Sequence, residues 1–215
     1  MKLTTMLFGI LLFSYSTING QTASVKTKNP SSVITDKDQI KKLIRQMLQW
    51  ADTDKVTPLL PVQTDAKDSL VIGLDLVKHK QNLNTLQKTN LFANEFINNY
   101  NQIILTLDKG IKNSKYEPWL VGYLPPFVFG DQGEVDPWTS CEDYPYDIAN
   151  PWVFIEVDII NINKDKGEAK WRWGKLDKKT HPSWKAFSYK FRVAKENNTW
   201  KIAYLQGFDF KKITE

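Results

Sequence analysis

The hydrophobic period of this chain changes once, after Tyr116, and that change sets the fold class. Ile40, Leu43, Ile44, Met47, Leu48 and Ala51 fall on one face of a helix over about 36–51. Thr35 followed by Asp38 has the form of a capping box that starts it, and Pro58 and Pro61 bar its continuation. Leu76, Leu83 and Leu86 mark a second helix over about 75–88. Phe96, Ile97, Tyr100, Ile104, Leu107 and Ile111 mark a third over about 94–112. Beyond Tyr116 the spacing falls to two. Strands are expected at about 152–163, 168–176, 184–196 and 199–206, after a proline-rich loop over 120–151. Helices followed by an antiparallel meander define an α+β chain, with the helices packed on one face of the sheet.

The alternation also separates the two faces of that sheet. Val153, Ile155, Val157 and Ile159 alternate with Phe154, Glu156, Asp158 and Ile160, and Trp171 and Trp173 alternate with Lys170 and Arg172. A three-residue connection, Lys164-Asp165-Lys166, sets Asp158 opposite Arg172 and Ile159 opposite Trp171, which keeps the apolar residues together. Asn197-Asn198 fits a two-residue turn with positive φ, setting Val193 opposite Ile202 and Phe191 opposite Tyr204. Trp171, Trp173, Phe191, Val193, Trp200 and Ile202 are then the inward residues. Glu156 and Asp158 share the other face with Lys170, Arg172, Lys190 and Arg192. Cross-strand charge pairing on a solvated face accounts for them without catalysis.

The first twenty residues speak of destination. Lys2 followed by the apolar run Met6 to Phe13 and then small and polar residues has the layout of a secretory signal peptide. The run is too short to span a bilayer. Ser16, Gly20 and Ala23 are the candidate cleavage positions. Residues 1–20 are thus expected to be a signal, 21–35 a flexible leader and 36–215 a single domain. The expected compartment is the periplasm or the exterior. Cys141 is the only cysteine. It is read as a small buried apolar residue, since it can form no disulfide within the chain and is not placed for lipidation, so no stable membrane anchor is expected. The net charge of +5 is spread along the chain. Without a basic block, nucleic acid is not an expected partner.

Motifs for chemistry are sparse. His79 and His181 are the only histidines, a hundred residues apart, and both read as surface residues. No zinc spacing, nucleophile elbow, phosphate loop or dinucleotide fingerprint is present, so neither metal nor cofactor is expected. The loop 131–147 stands out instead. It gathers Asp131, Glu134, Asp136, Glu142, Asp143 and Asp147 with Trp138, Tyr144 and Tyr146. Long irregular loops in compact domains are often functional, and acids among aromatics suit a cationic or hydroxylated ligand. Trp138, Asp143 and Tyr144 are the candidate ligand-binding residues. The competing reading has the aromatic rings plugging the open end of the sheet.

Asn198-Thr199-Trp200-Lys201-Ile202-Ala203-Tyr204 resembles the closing strand of the nuclear transport factor 2-like superfamily, with its ketosteroid-isomerase-like, cystatin-like fold. The helix at 36–51, Thr89-Asn90-Leu91-Phe92 leading into Glu95-Phe96-Ile97, and the run from Asp136-Pro137-Trp138 to Asp143-Tyr144-Pro145 extend the likeness. Together these are similar to an uncharacterised family of exported bacterial proteins within that superfamily. The resemblance covers about residues 36–208. It implies a curved antiparallel sheet wrapped around helices as a cone, often with a cavity. Superfamily members include isomerases, dehydratases and proteins without catalysis, so fold alone does not assign function. The first expectation is a non-catalytic module binding a small molecule or an envelope protein. The alternatives are a small cavity enzyme of isomerase or dehydratase type, and an envelope protein that neutralises a partner. The oligomeric state is not legible in the sequence.

Overall fold

The computed structural model describes residues 35–54, 58–130, 136–141 and 143–215. The expected signal, the leader as far as residue 34, and Asp131, Glu134 and Glu142 lie outside the described residues. Helix α1 spans Asp36–Gln49. Its capping box forms as the sequence predicts: Asp38 N donates to Thr35 Oγ1 at 3.2 Å, and Thr35 N donates to Asp38 Oδ2 at 3.3 Å. Ile40, Leu43, Ile44, Met47 and Leu48 are its buried stripe. The helix then widens into a π-turn over Trp50–Asp54, which keeps Ala51 buried.

Two short strands follow that the hydrophobic pattern does not reveal. They are β1 (Val62–Thr64) and β2 (Val71–Leu74), paired antiparallel. Their turn is organised by the Asp65 carboxylate, which accepts from Ser69 N at 2.8 Å and Leu70 N at 3.1 Å. Three or four residues are too few to show a period. Helices α2 (Leu76–Lys88) and α3 (Asn94–Lys112) match the expected spans. Asp108 on α3 accepts from Leu74 N at 2.8 Å and so ties the hairpin to that helix.

The second half is a four-stranded antiparallel sheet in the order β3 (Ile155–Asn163), β4 (Lys166–Trp173), β5 (Tyr189–Glu196), β6 (Thr199–Leu205). A one-turn helix over Pro151–Phe154 replaces the expected start of β3. Helix α4 (Pro182–Ala186), capped by the His181 side chain, replaces the expected start of β5. The β3–β4 register differs from expectation by two residues: Asp158 faces Lys170 and Glu156 faces Arg172. The turn is Lys164-Asp165, with Asn163 opposite Lys166. Such a turn alone would set Asp158 opposite Trp171 and mix the faces. An irregularity between Ile159 and Asn161 inserts Ile160, and the extra residue restores the alternation. Face burial is satisfied by turn and bulge together.

The β5–β6 turn is as expected, with Asn197 at φ 50° and Asn198 at φ 60°, and Val193 faces Ile202. Farther along, an extra residue at Ala203 moves Phe191 opposite Leu205 rather than Tyr204. Trp171, Trp173, Phe191, Val193, Trp200 and Ile202 are all buried. Helices α1 and α3 lie against β6, and a C-terminal helix α5 (Phe210–Thr214) closes on α3. The chain is therefore α+β, with the aromatic face of an antiparallel sheet covered by helices.

Candidate functional site

Of the three loop residues expected to form one contact surface, the fold separates Trp138 from Asp143 and Tyr144. Trp138 sits in a turn in which Asp136 Oδ1 accepts from Trp138 N at 3.2 Å and the Asp136 carbonyl accepts from Ser140 N at 2.7 Å. Pro137 O is pinned by the Tyr189 hydroxyl, which in turn accepts from Gly207 N at 2.8 Å. A side chain at Gly207 would place its Cβ 2.1 Å from Pro137 O, so this crossing admits only glycine. The turn drives Trp138 into the core. Its ring is 1% exposed and touches Trp50, Phe92, Phe96, Tyr100 and Phe208, the last at 4.6 Å between centroids. Trp138 thus leaves the expected contact surface: it is the centre of the core.

Tyr144 is 37% exposed and lies edge-on to Trp152 at 5.5 Å and Trp173 at 6.2 Å. Its hydroxyl donates to Asp52 Oδ1, while Asp52 Oδ2 accepts from Trp152 Nε1 at 3.1 Å. Burial and then the Asp52 carboxylate push the Tyr144 hydroxyl well above the usual phenol range. The residue acts as a clasp between the π-turn and the sheet. Asp143 is exposed beside it.

His79 corrects a second expectation. It is 2% exposed, its ring edge-on to Tyr100 at 5.2 Å. Nε2–H donates to Asn101 Oδ1 at 3.2 Å, and Nδ1 has no partner among the described residues. Burial holds the ring below its ordinary pKa, against the opposing pull of Asn101. The signal missed was the spacing His79, Asn82, Leu86, which is the true buried face of α2, whereas Leu76 is exposed. His181 is exposed, as expected.

The remaining candidates for chemistry are accounted for by structure. Arg172 pairs with Glu156 and, at 3.3 Å, with Asp158, on the exposed sheet face. Cys141, expected to be buried, is half-buried; burial, helped by Asp136, pushes its thiol up to about 12, which disfavours the thiolate. Among the described residues no group of three or more His, Cys, Asp or Glu is placed to hold a metal, and no helix is long and apolar enough to cross a membrane.

A concave site does exist, on the outer flank of α1. Gln39, Lys42, Gln46 and Gln49 run along the helix beside its buried stripe. Thr89, Asn90 and Leu91 of the α2–α3 connection form the opposite wall, and Thr199 and Trp200 of β6 close one end. With Leu43 and Trp50 they enclose a groove of about 730 Å³, within the range of small-ligand sites. Asp36 fixes the Trp200 ring by accepting from its Nε1 at 2.9 Å and from Lys195 Nζ at 3.0 Å. The Trp200 bond and then Lys195 hold that carboxyl below its ordinary pKa. Asn90 keeps its place in the wall with φ 59°, a conformation asparagine tolerates better than most residues. Sequence reasoning missed this groove because it joins three segments far apart in the chain. Comparison with protein-family models, with curated proteins and with solved structures finds no match to this chain.

Proposed function

We propose that this protein is an exported, non-catalytic binding module on a nuclear transport factor 2-like frame, and that it binds through the groove on the flank of α1. One observation carries the reading. The space between sheet and helices, where a cavity enzyme of this superfamily would keep its substrate, is filled by Trp138, Phe96, Tyr100, Phe208, Trp171 and Trp173. Among the described residues the aromatic interior leaves concave surfaces on the outside of the fold, and the groove on the flank of α1 is one with convergent polar groups. Its amides, hydroxyls and single lysine suit recognition and offer no acid–base pair for turnover. The leader pattern at 1–20 supports export, and the four-stranded meander covered by helices supports the frame.

Native mass spectrometry of the protein purified from its own envelope tests the reading. The expected result is a non-covalently bound molecule released unchanged, and lost from a Gln46→Arg variant whose longer side chain fills the groove. Conversion of any envelope metabolite by the protein, abolished in His79→Gln, would replace the binding module with a cavity enzyme.

A further inference from the structure

We propose that the turn at 120–124 seats in the headgroup region of a phospholipid bilayer, with its apolar side chains entering the acyl boundary, as a reversible membrane contact. The inference goes beyond the groove-binding reading and shares no residue with the groove. Turn tips are ordinarily built of Gly, Pro, Asn, Asp and Ser. Here Gly122 alone is of that kind, at φ 86° in the position where a type II turn requires a positive value. Around it the side chains are large and apolar. Tyr123 and Leu124 are 72% and 67% exposed, and Leu120 and Val121 are exposed beside them.

The tip is held from within. Tyr123 N–H donates to the Leu120 carbonyl at 3.2 Å, and Val121 N–H donates to the Ser69 carbonyl at 3.2 Å. The Tyr123 carbonyl accepts from Trp119 Nε1 at 2.9 Å. Pro125 and Pro126, which follow, have no N–H to satisfy. Trp119 packs edge-on to the buried Phe127 at 5.7 Å between centroids, which fixes both ends of the turn. A backbone bonded within the protein is what a low-dielectric phase demands of a segment that enters it. A preformed tip also spares the ordering cost of association.

Size and charge favour a bilayer over a protein partner. A stable protein interface engages about 20 residues or more a side, and this tip offers a single short turn. A fluid interface needs no complementary surface, and tyrosine suits the headgroup level. Ile72 extends the apolar surface, lining with Trp119 and Pro126 a hollow of about 520 Å³ beside the tip. The nearby charges are of both signs. Lys112 and Glu117 line the hollow, and Lys67 and Asp68 are exposed in the β1–β2 turn whose Ser69 holds Val121. The attraction is therefore apolar and makes no demand for an anionic lipid. So small an apolar surface gives a partition that reverses, unlike a spanning helix.

Flotation of the protein, recovered from its own envelope, with phosphatidylcholine vesicles tests this, and NMR in bicelles carrying an acyl-chain spin label is the second measurement. The protein is expected to float with these neutral vesicles in high salt as in dilute buffer. Leu124→Asp weakens the association ~10-fold or more, whereas Val153→Asp, at an exposed valine outside the tip, leaves it unchanged. The spin label is expected to broaden the amide resonances of Tyr123 and Leu124. Absence of flotation overturns the proposal, as does flotation that ignores Leu124→Asp or leaves those two resonances sharp. Flotation that needs phosphatidylglycerol and is lost in salt makes the contact electrostatic and overturns it too. A dimer in solution that Leu124→Asp dissolves assigns the tip to a protein interface and overturns it as well. Each of these outcomes leaves the groove-binding reading standing.

Discussion

At the scale of single residues, placement rather than residue type decides role. Trp138 and Tyr144 stand six positions apart in an acidic, aromatic loop, yet one is sealed in the core and the other clasps Asp52 at the surface. Truncating Trp138 to Ala empties the middle of a cluster of five rings, and a loss of ~3–5 kcal/mol is expected in chemical denaturation. A loss below ~1 kcal/mol would return Trp138 to the surface. His79 gives a pH signature. Its folded-state pKa lies below the ordinary value of 6.5, so its contribution to stability is present above about that pH and is lost as pH falls through the lower folded value. Wild type is therefore expected to lose more stability than His79→Gln between about pH 7.5 and about pH 5, read as denaturation midpoints. Equal slopes would contradict the buried neutral ring.

At the scale of elements, the sequence carried periods well and turns less well. The helices at Asp36–Gln49 and Asn94–Lys112 were legible because their apolar stripes are long and face one core. β1 and β2 were not, since their few residues show no alternation and are held by Asp65 and Asp108 instead. In β3–β4 the alternation fixed which residues face inward, while the connection that achieves it, a two-residue turn plus a bulge at Ile160, was invisible to it. The bulge makes a sharp prediction. Deleting Ile160 leaves Ile155, Val157 and Ile162 on their present face, so a cooperative thermal transition is expected to persist. Deleting Asp158 reverses Val157 and Ile155 relative to the rest of the strand, and that variant is expected to lose the transition. The opposite ranking would contradict the bulged register.

At the scale of the whole molecule, the aromatic half of the chain is spent largely on solidity, and the groove proposed for binding lies on the flank of α1. The loop singled out in the sequence supplies Trp138 to the core and Tyr144 to a clasp. The groove is assembled from α1, the α2–α3 connection and the start of β6, three segments of ordinary composition. Only their meeting makes a site, which is why no local motif announced it. The tryptophans report on both regions at once, because Trp50 lines the groove and Trp200 borders it from the edge of the core, while Trp138, Trp171 and Trp173 lie in the core away from it. Indole N–H resonances in a ¹⁵N-edited NMR spectrum, recorded as envelope extract is added, separate the two. Shifts at Trp50 and Trp200 with Trp138, Trp171 and Trp173 unmoved are the predicted result, and shifts confined to the core indoles would contradict an outer binding site.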